Sequence, residues 1–345
     1  MKANGKKVMV GLGDLVVSLS PVGYTRFLQA EQFGVFYTGA EANVCASLSA
    51  FDMPTRYLTR VPKNEIGQAA VNNLRRYGID TDYIARGGDR IGLLYLEKGA
   101  SQRASKVIYD RLNSGFCEAT VADFDLEGAL ADAGWLHFSG ITPALSGGTE
   151  ELTREILKLA KAKGITVSCD LNYRKNLWTS EKANAVMSEL LPYVDVLIAN
   201  EEDAAKVLGI HARDTDVDAG KINAVGYIDV AQQIHDRFGI KTVATTLRES
   251  ISASRNIWSA MMWKDGEAFF SEKYDIQIIN RVGGGDSFSA GLIYALMNDF
   301  APKAAVEFAA AASCLKHTIE NDFNVVTVDE VLALANGDKS GRVKR

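Results

Sequence analysis

Strand-like and helix-like segments alternate regularly through the middle of the chain. Residues 135–138, 166–170 and 194–199 are short apolar runs of the kind that form buried strands. Residues 150–163 and 181–191, which lie between these runs, repeat their apolar side chains at helical spacing. This alternation predicts βαβ units, and therefore an α/β fold with a parallel sheet and helices on both of its faces.

The same pattern extends towards both ends of the chain. Residues 8–10 predict the first strand and residues 242–246 a later one. The other predicted elements are a strand at 57–61, helices at 66–77, 229–238 and 304–317, and a hairpin of 257–263 with 268–271. A chain of 345 residues has room for one large α/β domain or for two ordinary ones.

Composition argues against several classes of protein. The contents of hydrophobic and charged residues, 47% and 23%, are those of a soluble globular protein, and a net charge of −5 without basic clusters argues against a nucleic-acid partner. The N-terminus has no long apolar region, so we expect no signal peptide and no membrane span. The cysteines and histidines lack metal-site spacing and are expected to be structural, in a reducing cytoplasm. They are Cys45, Cys117, Cys169, Cys314, His137, His211, His235 and His317.

Three consecutive glycines stand between a β-branched apolar run and a helix-like segment that ends near residue 297. At a helix N-terminus, the free N–H groups and the helix dipole attract an anion, and Gly283, Gly284 and Gly285 would let it approach the backbone closely. Asp286 stands in the first turn of the same helix, where it is a candidate general base. The alternative is a flexible turn followed by a helix-capping acid.

A second glycine-containing segment, residues 37–44, opens a helix that continues to residue 51. Asn43 would lie about one turn inside this helix, where its amide reaches a ligand above the N-terminus or faces water. Residues 11–14, Gly-Leu-Gly-Asp, follow the first strand, but Val16 stands where a dinucleotide-binding motif has its third glycine. The sequence therefore gives little support to a Rossmann-type dinucleotide site.

Residues 91–96 and 107–112 flank a polar linker and predict a β-ribbon. Alternation assigns Tyr95 to one face of the first strand, and Tyr109 and Arg111 to one face of the second. Our interpretation places the two tyrosines and the arginine on a single face that covers a polar organic anion, with the guanidinium matched to carboxylate or phosphate. The alternative is an edge ribbon with a solvated arginine.

Polar side chains fall at the carboxyl ends of the predicted parallel strands, which is where open α/β sheets bind ligands. They are Asp14, Asn172, Arg174, Asn200 and Thr246. The glycine turn comes at the same edge. The sequence therefore predicts one shared site there.

Two segments together resemble the signatures of a known family. RVGGGDSFSAGL, residues 281–292, and TGAEANV, residues 38–44, are similar to the C-terminal and N-terminal signatures of the ribokinase-like carbohydrate kinases, the phosphofructokinase-B-type family. Their order and separation match, so the resemblance covers nearly the whole chain. It implies a single domain over 1–345: a ribokinase-like three-layer α/β/α sandwich with a mainly parallel sheet and a small β-sheet lid formed by segments at about 15–38 and 91–112.

The resemblance also implies the reaction, which is transfer of the ATP γ-phosphoryl group to a sugar hydroxyl. Asp286 would take the hydroxyl proton, and the N–H groups of Gly283, Gly284 and Gly285 would hold the developing charge. Mg²⁺ would arrive with ATP rather than in a protein metal site, and Asn200 and Asp203 would contact it through water.

Within the family, the segments VIYDR, DLNYRKNLW and KHTIENDFN look most like those of 2-keto-3-deoxygluconate kinases. A sugar acid has a carboxylate that pairs with arginine, whereas ribose or fructose has none. By this resemblance the substrate would be held by Gly39, Ala40, Glu41, Asn43, Tyr95, Tyr109, Arg111, Arg174, Asn280 and Asp322. The nucleotide would be bound by Asn172, Arg174, Asn200, Thr246, Arg248, Ser250, Gly283 and Gly285.

Five positions differ from the broad family pattern. Thr38 replaces a glycine, Asp203 a glutamate, and Arg248 a glycine of the nucleotide loop. Asn280 replaces an aspartate linked to a monovalent cation or a substrate contact, and Gly284 replaces an alanine, a change that we expect to be harmless. Nucleotide preference and activation by monovalent cations therefore stay open.

The sequence leaves two alternatives to the sugar-acid kinase. The same chemistry on fructose, another keto sugar or another keto-deoxy sugar acid is the nearer one. A non-catalytic sugar or nucleotide sensor is the other, although the intact Gly-Gly-Gly-Asp sequence argues against it. We also expect a homo-oligomer, because the lid ribbon exposes apolar residues and free strand edges that a second subunit would cover.

Overall fold

The protein is described by a computed structural model that covers residues 7–212, 224–338 and 340–341. Over these residues the strands form a large sheet, a separate small sheet and one isolated pair. In chain order they are β1 (Val8–Leu12), β2 (Val16–Pro21), β3 (Phe33–Thr38), β4 (Thr55–Leu58), β5 (Arg60–Val61), β6 (Ala85–Arg86), β7 (Gly92–Glu97), β8 (Lys106–Asp110), β9 (Ala133–Ser139), β10 (Thr166–Asp170), β11 (Val196–Ile198), β12 (Thr242–Ser252), β13 (Arg255–Lys264), β14 (Glu267–Phe270) and β15 (Tyr274–Gln277).

The large sheet has the strand order β14-β13-β12-β11-β10-β9-β1-β4, with β15 paired to β13. Every pair from β12 to β4 is parallel, and β13, β14 and β15 are antiparallel additions at one edge. All residues of β1, VMVGL, are buried, because helices cover both faces of a parallel sheet. The predicted α/β class with a mainly parallel sheet is confirmed.

Helices form two layers, one on each face of the large sheet. The helices are α1 (Ala40–Ala50), α2 (Glu65–Arg76), α3 (Leu126–Ala129), α4 (Ile141–Ala144), α5 (Gly147–Ala162), α6 (Ser180–Leu190), α7 (Glu201–Asp203), α8 (Ala224–Phe238), α9 (Gly284–Met297), α10 (Pro302–Lys316) and α11 (Val328–Ala335). One apolar core joins α1, α2, α9, α10 and α11 to the sheet, and a second joins α3, α5, α6 and α8 to the opposite face. Within the described residues, no helix has the length and apolar character needed to cross a bilayer.

The small sheet has the order β3-β2-β7-β8. The predicted ribbon is its β7–β8 pair, in which Leu94 is opposite Tyr109 and Tyr95 is opposite Ile108. Val16, Leu94 and Leu96 form a small buried cluster, and Val282, which precedes the glycine turn, packs against it. The small sheet therefore lies over the turn that precedes α9.

One strand is longer than its sequence pattern predicts. The strand predicted at 242–246 continues as β12 to Ser252, because it pairs with β13 in an antiparallel hairpin along its whole length. Thr246 is therefore in the middle of a strand rather than at its end. The side chains beyond it extend past the edge of the parallel strands.

Candidate active site

A cleft of about 400 Å³ opens at the carboxyl ends of the parallel strands, between them and the small sheet. Most of the side chains predicted for a shared site line it, which places distant segments of the sequence together. The predicted residues in its wall are Gly39, Ala40, Asn43, Tyr109, Arg111, Asn172, Arg174, Asn200, Asp203, Thr246, Arg248, Gly283, Gly284, Gly285 and Asp286.

The glycine turn forms one end of this cleft and begins α9. Gly283 caps the helix with φ of 81°, in the left-handed region that favours glycine, and a side chain there would also collide with the carbonyl oxygen of Asp322. A Cβ built on Gly285 would meet no atom within 4 Å, so the first turn of the helix faces open space. The free N–H groups and the helix dipole therefore offer an anion site to the cleft.

Asp286 lies in the first turn of α9 and is held by a side chain from α1. Asn43 Nδ2 donates a hydrogen bond of 2.6 Å to Asp286 Oδ2, and Thr38 Oγ1 donates to Asn43 Oδ1 at 3.2 Å. The Asn43 amide is thus oriented with its nitrogen towards the carboxylate. This contact joins the two segments that carry the sequence signatures, which are 243 positions apart.

Burial raises the pKa of Asp286 to about 6, although hydrogen bonding from Asn43 and the charge of Arg174 oppose this shift. The carboxylate is therefore mostly ionised at neutral pH and still basic enough to accept a proton from an alcohol in a transition state.

A pH profile tests this assignment. We expect kcat/KM to fall about tenfold for each pH unit below about 6, because Asp286 must be ionised to act as a base. The measurement is an end-point ADP assay between pH 5 and 8, at subsaturating sugar. A profile that stays flat down to pH 5 would contradict the role of Asp286.

Two further carboxylates, Asp170 and Asp203, line the cleft beside Asp286. Burial raises the pKa of Asp203 to about 6, and burial together with the charges of Asp203 and Asp286 raises the pKa of Asp170. The Asp203 carboxylate accepts a hydrogen bond from the backbone N–H of Tyr173 (3.1 Å). Asp170 was missed at the sequence level, although it ends a strand as the predicted site residues do.

These carboxylates suit a divalent cation that arrives with a nucleotide. No group of three or more His, Cys, Asp or Glu side chains among residues 7–212, 224–338 and 340–341 could hold a metal by itself. Mg²⁺ is commonly bound through one or two carboxylates, phosphate oxygens and water, and its charge would favour the ionised forms of Asp170 and Asp203. The carboxylates of Asp170 and Asp203 therefore fit a Mg²⁺ ion that is bound together with a nucleotide.

Arg111 and Tyr109 form the wall that the small sheet contributes. The Arg111 guanidinium lies 4.1 Å from the centre of the Tyr109 ring, and its Nε is 3.7 Å from Asp14 Oδ2. Burial raises the pKa of Asp14, although the charge of Arg111 opposes this shift. Asp14 was predicted to belong to the shared site, but it is buried behind Arg111 and is not among the residues that line the cleft.

Tyr95 was predicted to bind the substrate, but it does not line the cleft. The register opposes it to Ile108, so its side chain is on the outer face of the small sheet, where its ring packs edge-on against Phe33. Directly opposed residues share a face, so Leu94 and Tyr109 point into the cleft together. The prediction of two tyrosines on one face was wrong because alternation along each strand does not fix the register between strands.

Arginines from three elements form the remaining charged wall. Arg174 follows β10, Arg248 is on β12, and Arg281 precedes the glycine turn. Burial lowers the pKa of Arg281, and the neighbouring charge of Arg248 lowers it further. Such like charges at one wall favour a polyanionic ligand. Ser250, predicted to bind the nucleotide, is an exposed residue two positions beyond Arg248, outside the cleft lining.

Three more predicted substrate-binding residues lie behind the cleft rather than in its wall. The buried Glu41 carboxylate accepts hydrogen bonds from Ser139 N (2.8 Å) and Thr142 Oγ1 (3.2 Å), and burial raises its pKa to about 7. Its position on α1 turns it towards the sheet. Asn280 donates to Asp322 Oδ1 (3.2 Å), and both are buried beneath the glycine turn.

His317 lines the cleft, although the sequence predicted only a structural role for it. Its Nδ1 donates to Ser313 O at 2.7 Å, and its ring packs against Trp258 with 4.9 Å between ring centres. Burial lowers the pKa of His317 to about 4, so the imidazole is neutral and its Nε2 is an acceptor. Trp258 and Arg281 are further cleft residues that the sequence gave no reason to select.

Gly284 and His317 fit together closely. A Cβ on Gly284 would lie 2.6 Å from His317 Cε1, so alanine, the usual residue of the family signature, has no room here. Glycine was expected to be a harmless replacement for alanine at position 284. It is so because His317 occupies the space that the alanine methyl group would need.

We expect Gly284→Ala to lower kcat about tenfold, because the methyl group must displace the anchored imidazole or the turn itself. Adding His317→Ser should restore most of that loss relative to His317→Ser alone, since the smaller side chain makes room. Steady-state kinetics of the two single variants and the double variant check this. Additive losses in the double variant would show that the contact is not the cause.

Residues 9–322 match the family model of the pfkB family carbohydrate kinases. A crystal structure of 2-dehydro-3-deoxygluconokinase from Thermotoga maritima is 48% identical, with a TM-score of 0.92 over 96% of this chain and 99% of that chain.

Two other relatives agree with this result. A crystal structure of a PfkB family carbohydrate kinase from Listeria grayi is 37% identical, with a TM-score of 0.89 over 96% of this chain and 100% of that one. The 2-dehydro-3-deoxygalactonokinase of Haloferax volcanii is 30% identical over 96% of this chain and 98% of its own length. The chain therefore belongs to the pfkB family of carbohydrate kinases, with the ribokinase-like fold that its signatures predicted.

Proposed function

We propose that this kinase transfers the γ-phosphoryl group of ATP to a hydroxyl of 2-keto-3-deoxygluconate. The observation that carries the choice of a sugar acid is Arg111. Its guanidinium lines the cleft, its side chain is only 13% exposed, and Asp14 Oδ2 lies at the long distance of 3.7 Å. A substrate carboxylate would give this cation a bidentate partner, which a neutral sugar lacks. The names of the relatives from Thermotoga and Haloferax support the same substrate class.

The proposed reaction needs little covalent chemistry from the protein. The sugar hydroxyl oxygen bonds to the γ-phosphorus as the bond to the β–γ bridging oxygen breaks, and the hydroxyl proton passes to Asp286. Asn43 holds the Asp286 carboxylate in place through its 2.6 Å hydrogen bond. The N–H groups of the turn at Gly283, Gly284 and Gly285 stabilise charge on the transferred group.

On the nucleotide side, we propose that Arg174, Arg248 and Arg281 surround the phosphates, with Asn172 and Thr246 beside them. Mg²⁺ bound with ATP would supply charge neutralisation between phosphate oxygens, and Asp170, Asn200 and Asp203 would orient its water ligands. On the sugar side, the remaining amide N–H of Asn43 would donate a hydrogen bond to a sugar hydroxyl oxygen, and Tyr109 would cover the carbon chain of the sugar acid.

A kinase screen tests the proposal. The enzyme is assayed with ATP and Mg²⁺ against 2-keto-3-deoxygluconate, its C4 epimer 2-keto-3-deoxygalactonate, and fructose. We expect the highest kcat/KM with 2-keto-3-deoxygluconate, and at least a hundredfold preference over fructose, because only the acids pair with Arg111. Faster turnover of fructose would reject the sugar acid, and ATP binding without turnover of any sugar would favour a sensor.

We also propose that the small sheet serves as the lid of a single kinase domain and as the contact with a second copy of the chain. Val35, Leu19, Tyr95 and Ile108 oppose one another in sequence across the four strands, so they form an apolar row on the outer face. Val35 and Ile108 are 57% and 54% exposed. A second copy would cover this row and the free edges of β3 and β8.

Sedimentation velocity tests the assembly. We expect a dimer at micromolar concentration, and a monomer when Val35→Asp and Ile108→Asp are combined, with Leu28→Asp as an exposed apolar control outside the row. A wild-type monomer would reject the proposal.

The dependence on ATP leads us to expect that the enzyme works in the cytoplasm.

A further inference from the structure

Lys316 is a buried cation that the proposed reaction does not use. It is the last residue of α10, and its side chain has no solvent exposure. Its Nζ lies 3.5 Å from the carbonyl oxygen of Asn280 and 3.4 Å from that of Ile319. A buried ammonium is costly unless it is paired, so its position requires a physical reason.

The ammonium lies directly beneath the glycine turn. A Cβ on Gly283 would stand 3.2 Å from Lys316 Cε, so the lysine stem packs against the residue that caps α9. Asn280 begins the segment that leads into this turn, and Ile319 begins the segment that leads to Asp322. Lys316 therefore ties together the two segments that support the anion site from behind.

The charge of Lys316 acts on the same region. The charged groups that face it are Asp286 on α9, Asp322 on the loop after α10, and Lys98 on the loop after β7. The helix dipole supplies only about half a positive charge at the turn, whereas an ammonium supplies a full one in a poorly solvated position. A fixed cation there would favour the approach of a phosphoryl group to the N–H groups of the turn.

We propose that Lys316 is a positioning residue that serves as a built-in counter-cation for the phosphoryl group at the glycine turn. It holds the Asn280 and Ile319 segments together without touching substrate, and the site therefore needs no dissolved monovalent cation. Carbonyl oxygens at such a point would suit K⁺ or NH₄⁺, which carry the same charge as the lysine ammonium. This inference rests on the phosphoryl transfer proposed above, but not on the identity of the sugar.

The first test uses the wild-type enzyme with the sugar that it turns over fastest. We expect kcat to stay within about twofold when 100 mM KCl is replaced by tetramethylammonium chloride, because Lys316 already supplies the charge. A wild-type enzyme that requires K⁺ would overturn the proposal, and this arm does not depend on the folding of any variant.

The second test removes the ammonium. Lys316→Ala should lower kcat about 30-fold with little change in sugar KM, and added NH₄⁺ or methylammonium should recover part of the loss in a saturable way. Lys316→Met fills more of the volume without charge and should not be recovered. Lys303→Ala, an exposed lysine of the same helix, is the matched control and should behave as wild type.

The third test follows pH. Burial lowers the pKa of Lys316 to about 8, with Asp322 and Asp286 opposing the shift, so the charge is lost as pH rises through that value. We expect wild-type kcat to fall above about pH 8 and Lys316→Arg to move this limb to higher pH, since a guanidinium stays protonated. If Lys316→Met keeps wild-type kcat while the wild type phosphorylates its sugar, this inference fails and the proposed function stands.

Discussion

Asp286→Asn is expected to lower kcat about a thousandfold while ATP still binds. The amide has nearly the shape of the carboxylate but cannot accept the hydroxyl proton. The Asn43 Nδ2 donor, which bonds to a carboxylate oxygen in the wild type, would then face an amide group that is itself a donor. Coupled assay of ADP release gives kcat, and calorimetry gives the affinity for ATP. Loss of kcat without loss of ATP affinity separates the proton acceptor from a residue that merely shapes the nucleotide site.

The control for Asp286→Asn is Asp82→Asn, the same change at an exposed position outside the cleft. It should leave both kcat and ATP affinity at wild-type values. If Asp286→Asn retains more than about a tenth of wild-type kcat, a base that contributes the usual hundredfold or more is not present at this position.

Arg111→Ala is expected to raise the KM for the sugar acid about a hundredfold, which corresponds to the loss of a charge-assisted hydrogen bond. The variant also leaves Asp14 buried without its nearby cation, which should raise the pKa of Asp14 further. Lysine at this position should restore only part of the affinity, because an ammonium cannot make the bidentate contact or stack in the same way on Tyr109.

The decisive comparison is between substrates. With fructose as a slow substrate, Arg111→Ala should change KM by less than threefold, since no carboxylate is lost. Arg90→Ala is a matched control, because this arginine also belongs to the small-sheet region but pairs with Asp110, and neither residue lines the cleft. Equal losses for the acid and the neutral sugar would show that Arg111 supports the wall rather than reads the carboxylate.

Local sequence patterns were sufficient to predict that a glycine turn begins a helix at residues 283–285. A glycine run before an apolar helix predicts a helix N-terminus, which is one place where anions bind, and Gly283, Gly284 and Gly285 form that turn. The clustering of Asn172, Arg174 and Asn200 followed from the positions of the strands, because parallel strands end at one edge of a sheet.

Which residues the small sheet and α1 turn towards the cleft depended on tertiary contacts. Tyr95 was assigned to the wrong face because each strand repeats every two residues, and a shift of one residue between β7 and β8 exchanges the faces. Glu41 was assigned to the substrate because its segment is similar to a signature, whereas its side chain turns into the core towards Ser139 and Thr142. Neither outcome is encoded in the spacing of one segment alone.

The sequence by itself determined the alternation of strands and helices, the glycine turn and the presence of an acid in its first turn, since these depend on interactions within a few residues. Only the tertiary structure decided that Asn43 holds Asp286, that His317 occupies the space of an alanine methyl at Gly284, and that Lys316 lies beneath the turn. Such contacts join residues that are far apart in the chain, and their geometry is fixed by packing rather than by local periodicity.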